Sequence, residues 1–152
     1  MKTTDDLASV LSSARPEDLE KYVREHREKL IEGSRPFTAF IRSKIKELGI
    51  KQQEVFLAAD IPEGYGYKLI SGEKHTRTRD VILRLCMSAG LCLNDVQQAL
   101  ILYGMSPLYP RMERDAALMI AINNGMRDAS VINEFLVEHG LEPLAHLGSK
   151  DI

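Results

Sequence analysis

The chain has 152 residues, of which 44% are hydrophobic and 28% charged, and it contains no tryptophan. This composition is typical of one globular domain, or of a small domain with an added module, and it argues against wholesale disorder. No apolar run approaches the roughly 18 residues of a membrane helix. The N-terminus lacks the apolar core of a secretion signal, and two cysteines make no disulfide framework. We therefore expect a cytoplasmic protein that does not associate with membranes.

The net charge of −2 argues against a protein that is basic over its whole surface and binds nucleic acid. The charge is unevenly distributed along the chain, however. Residues 1–35 carry a net charge of −1, residues 36–84 carry +3 and residues 85–152 carry −4. The middle third is therefore the part suited to an anionic partner, although so modest an imbalance also arises by chance.

The N-terminal 35 residues are predicted to form a helical pair. Leu7, Val10 and Leu11 have the spacing of an amphipathic helix. Pro16, followed by two acidic residues, is typical of the start of a second helix. We expect an N-terminal helical arm with a solvated outer face.

Helical spacing of apolar residues continues through the rest of the chain. The predicted helices cover residues 37–48, 52–59, a short segment ending at Ile70, a helix capped by Thr78, one around 96–103, one over 116–122 and one capped by Asp128. Residues 116–122 are apolar on nearly every side, which indicates a buried helix. Val, Ile and Thr never alternate with polar residues over the length of a strand, so the prediction is an all-α fold.

Two short helices with a tight turn between them, one longer helix before and two after, are the organisation of a helix-turn-helix domain. The stretch from Lys51 to Pro62 (KQQEVFLAADIP) and the stretch from Tyr67 to Glu73 (YKLISGE) resemble the Cro/repressor-type family, also called the XRE or lambda-repressor-like family. The resemblance rests on Gln and acidic residues at the start of the second helix, the small Ala59, the aliphatic Ile61 and the closing Gly72.

The resemblance covers about residues 37–104. It implies a lambda-repressor-like bundle with a helical pair before it and a helical hairpin after it. The expected division of the chain is an N-terminal arm at 1–35, a helix-turn-helix domain at 36–108, and a C-terminal hairpin with its tail at 109–152.

The resemblance also implies contacts to double-stranded DNA from the start of the second helix, from the third helix and from the basic loop after it. The candidate residues are Lys51, Gln52, Gln53, Glu63, Gly64, Tyr65, Lys68, Lys74, His75 and Arg77. Gln52, Lys74 and Arg77 would contact phosphates, and the contacts of the two basic residues would make the affinity depend on salt concentration. Lys68 could donate to a guanine edge in the major groove.

Three residues depart from the family pattern. Glu63 can accept only from cytosine amino groups and otherwise repels phosphate. Gly64 and Gly66 each lower helix propensity by about 1 kcal/mol relative to alanine. Gly66 also stands where the family buries an aliphatic side chain, and Tyr65 or Tyr67 would fill that space or stack on a sugar or base.

Two functions are therefore open at this point. The first is a sequence-specific transcriptional regulator that binds DNA as a homodimer, since two half-sites suit a two-fold dimer. The second is an adaptor that keeps the helix-turn-helix scaffold and binds a protein through the third helix and the C-terminal helices, without reading DNA.

A second feature is an internal repeat. At an offset of 35, Arg79–Leu83 recurs as Arg114–Leu118, Gly90-Leu91 as Gly125-Met126, and Val96 as Val131. At an offset of 36, Tyr103–Leu108 recurs as His139–Leu144. The pattern predicts two stacked antiparallel hairpins, each closed by a leucine that packs back onto it. A stack of this kind leaves an outer face that needs a cap or a partner, so the acidic C-terminal third is a candidate for dimerisation or for a protein partner. The alternative is that the match is a coincidence, because Gly and Pro end most helices.

The side chains that could bind a metal or act in catalysis form no recognisable motif. The four histidines and two cysteines lack metal-ligand spacing. No phosphate-binding glycine loop and no nucleophile with a base and an orienting acid are present. Cys86 is predicted to be buried, and Cys92 lies at a helix cap. We expect neither an enzyme nor a bound cofactor or metal.

Overall fold

The structure is a computed structural model that describes residues 4–26 and 35–147. These residues belong to two compact units, one for each described segment. Within both segments the regular secondary structure is helical, which confirms the all-α prediction. None of the helices described is both long enough and apolar enough to cross a membrane.

The first unit holds the predicted helical pair. Helix α1 covers Thr4–Ser12 and helix α2 covers Leu19–His26, with a single 3₁₀ turn at Pro16–Asp18 before α2. The carboxylate of Asp18 accepts the backbone N–H of Arg15 at 2.9 Å, so the acidic residue after the proline fixes this turn. The predicted arm continues to residue 35, and its part from 27 to 34 lies outside the described residues.

The second unit contains seven further helices in its described range. They are α3 (Arg35–Leu48), α4 (Gln52–Ala59), α5 (Glu63–Ser71), α6 (Arg79–Ser88), α7 (Leu93–Leu102), α8 (Glu113–Asn123) and α9 (Ala129–Glu138). Helix α3 packs on α5 and α7, while α4 packs on α5 and α6. One hydrophobic core runs from Phe37 in α3 to Leu144 near the C-terminus.

Helix α3 shows how the sequence pattern produces this packing. Phe37, Ile41 and Ile45 recur at helical spacing and are buried, while charged side chains occupy the opposite side. Lys44 extends to Asp95 of α7, with 3.3 Å between Nζ and the carboxylate. The hydrogen bond and the charge of Asp95 raise the pKa of Lys44.

The helix caps follow the sequence prediction in part. Asp128 caps α9, because its side chain accepts the N–H of Ser130 at 2.9 Å. Thr78 is the N-cap residue of α6 but makes no capping bond through its side chain. Instead the N–H of Thr78 donates to the hydroxyl of Thr76 at 3.1 Å, which corrects the predicted role of Thr78.

The internal repeat appears as two helical hairpins, α6–α7 and α8–α9. Glycines end equivalent helices in the left-handed conformation, with φ of 81° at Gly90, 72° at Gly125, 80° at Gly104 and 72° at Gly140. Each hairpin is followed by an irregular segment, which we call the first strap (105–109) and the second strap (141–147). Leu108 and Leu144 on these straps are buried, as predicted.

The register of the repeat differs from the prediction at one point. Cys92 and Asp128 are both N-caps of the second helix in their hairpins, so the offset is already 36 there. The turn before α9 holds one residue more than the turn before α7. Val96 therefore corresponds to Ile132, and both are fully buried, whereas the predicted equivalence of Val96 with Val131 is wrong.

The two hairpins are joined by reciprocal ion pairs. Arg79 of the first hairpin binds Asp115 of the second through both guanidinium nitrogens, at 3.2 Å for Nη1. Arg114 of the second hairpin binds Asp80 of the first at 3.0 and 2.8 Å. Bidentate arginine–carboxylate pairs are the strong and geometrically specific form of ion pair.

The same two aspartates also bind the backbone of the straps, each at the strap of the other hairpin. Asp115 accepts the N–H of Tyr109 after the first strap's leucine, and Asp80 accepts the N–H of Ala145 after the second strap's leucine, both at 2.9 Å. Side-chain amides complete the pattern. Gln97 accepts the N–H of Leu108 and Asn133 accepts the N–H of Leu144, both at 2.7 Å.

These reciprocal contacts lie at the starts of α6 and α8, where the Arg-Asp pair of each hairpin binds that of the other. Near the other ends of the same helices, Arg127 lies over Gly90. Helix α7 also packs on α8, so the two hairpins contact each other directly.

Helix α8 also differs from its prediction. Leu118, Ala121 and Ile122 are buried, but Ile120 is 54% exposed. The helix is therefore amphipathic rather than buried on every side, because no helix described in this unit packs on α8 as α4 packs on α6.

We expect Asp80→Asn to lower the free energy of unfolding at neutral pH by about 2–3 kcal/mol, because Arg114 loses its carboxylate in a partly buried site. Burial disfavours the charged form of Asp80, but bonds from Arg114 and Ala145 and the charges of Arg114 and Arg79 hold its pKa below the ordinary value. A lowered pKa gives stability that is present above the unfolded-state pKa of about 3.9 and disappears as the pH falls through the folded-state pKa.

Urea unfolding of both proteins between neutral and acidic pH measures this difference. The loss should shrink as the pH falls below about 4. Glu47→Gln is the control, because Glu47 forms an exposed pair with Lys44 and should change stability by less than about 0.5 kcal/mol. A loss for Asp80→Asn that is the same at every pH would contradict the ionic role.

Candidate nucleic-acid interface

The turn between α4 and α5 is built on a left-handed residue. Asp60 has φ 54° and ψ 48°, and its N–H donates to the carbonyl of Leu57 at 3.2 Å. The N–H of Ile61 donates to the carbonyl of Phe56 at 3.0 Å, and the Ile61 side chain is buried. Aspartate tolerates this conformation better than most residues other than glycine, so the tight turn forms without a glycine.

Helix α5 approaches α4 closely at Gly66. A Cβ atom at this position would overlap the ring of Phe56, so this ring fills the space beside Gly66. Tyr67 packs edge-on against the same ring, with 4.9 Å between centroids. Tyr65 is only 4% exposed and belongs to the core, so its predicted place at a DNA interface is corrected.

The remaining residues of α5 form one exposed side. They are Glu63, Gly64, Tyr67, Lys68 and Ser71, which fall on a single arc at helical spacing. Desolvation raises the pKa of Tyr67, and the carboxylate of Glu63, one turn earlier, raises it further.

The basic loop after α5 is ordered by Tyr103 of the first hairpin. The hydroxyl of Tyr103 accepts the N–H of Thr76 at 2.8 Å, and the His75 ring stacks on the tyrosine ring at 4.4 Å. Burial raises the pKa of Tyr103, while the Thr76 bond opposes that rise. The N–H of Lys74 donates to the carbonyl of Lys68 at 3.0 Å. The loop that carries the candidates His75 and Arg77 is thus held by specific contacts.

The third group of candidates lies at the start of α4. Lys51 is the N-cap residue and makes no capping bond through its side chain. Lys51 and Gln53 are exposed, and Gln52 is half-buried. Nine of the ten predicted site residues are therefore exposed or half-buried, and Tyr65 is the exception.

The charges of this surface balance. Between residues 51 and 77 the bases are Lys51, Lys68, Lys74 and Arg77, and the acids are Glu54, Asp60, Glu63 and Glu73. All four acidic residues are exposed. The net charge of +3 in the middle third comes instead from α3 and from the segment 78–84, where Arg79 is paired with Asp115 and Arg84 is buried.

Beside the exposed side of α5 lies an apolar depression of about 350 Å³. Its lining residues are Lys51, Gln53, Glu54, Phe56, Leu57, Ile61 and Glu63. Leu57 is 84% exposed at its edge, which is the largest exposure of any large apolar side chain in the described segments. Exposed apolar surface rimmed by charge is typical of a protein contact.

Arg84 is a structural residue that the sequence reasoning missed. Its side chain is 2% exposed and donates to the carbonyls of Ala59 at the end of α4, Leu144 and Ala145. It thereby joins the α4–α5 turn to the second strap. The sequence signal for this buried role is an arginine in the otherwise apolar stretch from Val81 to Met87.

The two cysteines lie where they were predicted. Cys86 is fully buried, and burial raises the pKa of its thiol to about 12, so it stays protonated at physiological pH. Cys92 is exposed at the N-cap of α7. Over residues 4–26 and 35–147, no three side chains from histidine, cysteine, aspartate and glutamate come together as a metal site.

No protein-family model, curated protein or solved structure matches the chain.

We expect Gly66→Ala to lower the free energy of unfolding by about 1–3 kcal/mol, because the added methyl group must displace the Phe56 ring from the core. Gly64→Ala is the matched control on the same helix. A Cβ at Gly64 meets nothing within 4 Å, so alanine should stabilise the helix by up to about 1 kcal/mol. Thermal and urea unfolding measure both changes. Equal effects of the two substitutions would contradict the close approach at Gly66.

Proposed function

We propose that the protein is a sequence-specific transcriptional regulator that binds double-stranded DNA through α4 and α5. In this proposal α3 to α7 form a lambda-repressor-like bundle and α5 is the recognition helix. The observation that carries it is the single exposed side of α5, which includes Gly64 and Lys68. The proposal includes a cytoplasmic location.

The geometry around α5 supports this proposal. In helix-turn-helix proteins the recognition helix enters the major groove while neighbouring segments hold the phosphate backbone. Here the exposed Lys51 precedes α4, and the exposed Arg77 lies in the loop fixed by Tyr103. Cations on an ordered backbone lose less conformational entropy when they bind phosphate than cations on a mobile loop.

Glu63 has a defined role in this proposal. Its carboxylate is exposed on α5 and can accept from a cytosine amino group. Lys68, one turn further along the exposed side, can donate to guanine. Because the whole surface from residue 51 to 77 is electrically balanced, affinity for random DNA should be low and base contacts should contribute a large share of the binding free energy.

The proposal also includes a homodimer. Two copies related by a two-fold axis would present their α5 helices to half-sites about 34 Å apart. The solution mass measured by analytical ultracentrifugation tests this part, and a monomer at high micromolar concentration would contradict it.

A second function, the protein-binding adaptor, is supported by a different observation. The strongly exposed Leu57 and the apolar depression beside it suit a protein side chain better than a phosphate backbone. Exposed acids, among them Glu54 and Glu63, border the same depression and would repel DNA. In this case the scaffold of α4 and α5 would be kept and its surface used for a protein.

DNA titrations over a range of salt concentrations separate the two functions. For the regulator, we expect binding of a selected DNA sequence with an affinity that falls as salt rises. Arg77→Ala should reduce the slope of log K against log salt by about 0.9, as the loss of one phosphate contact does. Lys68→Ala should cost about 1–3 kcal/mol on the preferred sequence and relax specificity at one base pair.

Arg111→Ala is the control for these variants, because Arg111 is an exposed cation between the hairpins and should leave the slope unchanged. Failure to enrich any sequence from a random DNA pool, together with no binding at about 50 mM salt, would reject the regulator. Leu57→Lys distinguishes the adaptor. It should leave DNA binding intact or strengthen it under the regulator proposal, whereas an adaptor would lose its partner.

A further inference from the structure

The two hairpins have equivalent helices, but their surroundings differ. Helices α3 and α4 cover one face of the first hairpin. On α7 this face is defined by two contacts, from Asp95 to Lys44 at 3.3 Å and from Tyr103 to the ring of Phe37 at 4.8 Å. Ala99 lies between these residues at helical spacing and is fully buried.

The equivalent row on α9 is not covered in the same way. At the offset of 36, Asp95 corresponds to Val131, Ala99 to Phe135 and Tyr103 to His139. Val131 is 47% exposed, Phe135 is partly buried and His139 is exposed. The two rings lie 4.8 Å apart, and Nδ1 of His139 donates to the carbonyl of Phe135 at 2.8 Å. The row therefore presents a half-exposed valine, a partly buried phenylalanine and an exposed histidine along α9.

Helix α8 shows the same difference. Leu85 of α6 is fully buried, whereas Ile120, its equivalent at the offset of 35, is 54% exposed. We call Ile120 of α8 and the α9 residues Val131, Phe135 and His139 the open face, because they are equivalent by sequence offset to residues of the first hairpin, whose helices α6 and α7 are packed by α4 and α3.

The charges beside the open face are acidic. Glu134 and Glu138 are exposed on α9, each within one helical turn of this row. Arg127 belongs to the same hairpin but lies over Gly90 of the first hairpin. An occupant of this face would therefore meet apolar side chains with carboxylates at the border.

We propose that the open face binds an amphipathic helix with basic flanks from another protein. The first hairpin already holds such a helix on the equivalent face. Helix α3 buries Phe37, Ile41 and Ile45 and carries exposed basic residues on its other side. Charge complementarity to Glu134 and Glu138 selects the basic flanks.

The acidic border also argues against a second copy of this chain as the occupant. Two open faces brought together by a two-fold axis would place the carboxylates of one copy near those of the other, and like charges repel. The proposal is independent of DNA binding, because it uses no residue of α4 or α5.

The test uses the full chain and two labelled synthetic peptides of about 18 residues with leucine at positions i, i+3, i+4 and i+7 of each helical repeat. One peptide has lysine at the remaining positions and the other has glutamate. Fluorescence anisotropy measures binding. The leucine–lysine peptide should bind the protein, and the leucine–glutamate peptide should bind at least about tenfold more weakly.

Two lysine substitutions on α9 form a matched pair. Val131→Lys places a charge in the open face, while Val137→Lys places one on another side of the same helix, where the valine is 58% exposed. Both sites are exposed, so both variants should fold, and circular dichroism checks this. We expect Val131→Lys to weaken binding about tenfold and Val137→Lys to change it by less than about twofold.

The Glu134→Lys variant tests the acidic border and should also weaken binding of the leucine–lysine peptide. Equal effects of Val131→Lys and Val137→Lys would overturn the proposal, as would equal binding of the two peptides. Self-association that Val131→Lys abolishes would identify a second copy as the occupant and would overturn it as well.

Discussion

The buried guanidinium of Arg84 connects the parts of the second unit. An arginine taken out of water has to find acceptors for its donors, since an unsatisfied buried charge costs several kcal/mol. Three backbone carbonyls meet this need, from Ala59, Leu144 and Ala145. Burial lowers the pKa of Arg84, and the charges of Asp60 and Asp80 oppose that change. One side chain thus holds both the end of α4 and the second strap. The position of the candidate interface therefore depends on a residue that is not part of it.

Charge decides how the α4–α5 surface can work. The summed charge of residues 36–84 suggests a basic region. The excess positive charge lies on α3 and in the segment 78–84, however, where Arg79 is paired with Asp115 and Arg84 is buried. The surface itself carries as many carboxylates as cations. A balanced surface draws little affinity from counterion release, so a DNA ligand would be recognised by its bases, and a protein ligand by the apolar depression at Leu57.

The helices and their ends could be predicted from the sequence because their signals are local. Glycines in the left-handed conformation, the Asp128 cap and the spacing of Phe37, Ile41 and Ile45 each act within a turn or two. Long-range contacts could not be predicted in this way. The sequence shows that Arg79-Asp80 recurs as Arg114-Asp115, but it does not show that each arginine binds the aspartate of the other hairpin. The candidate site follows the same division, because helical spacing predicts an exposed side of α5, whereas the burial of Tyr65 depends on how α5 packs in the bundle.

The reciprocal ion pairs also limit how far the two Arg-Asp motifs can vary separately. Each arginine binds the aspartate of the other hairpin. A charge-removing change in one motif leaves a partly buried charge of the other motif without its partner, so tolerated changes should come in matched pairs.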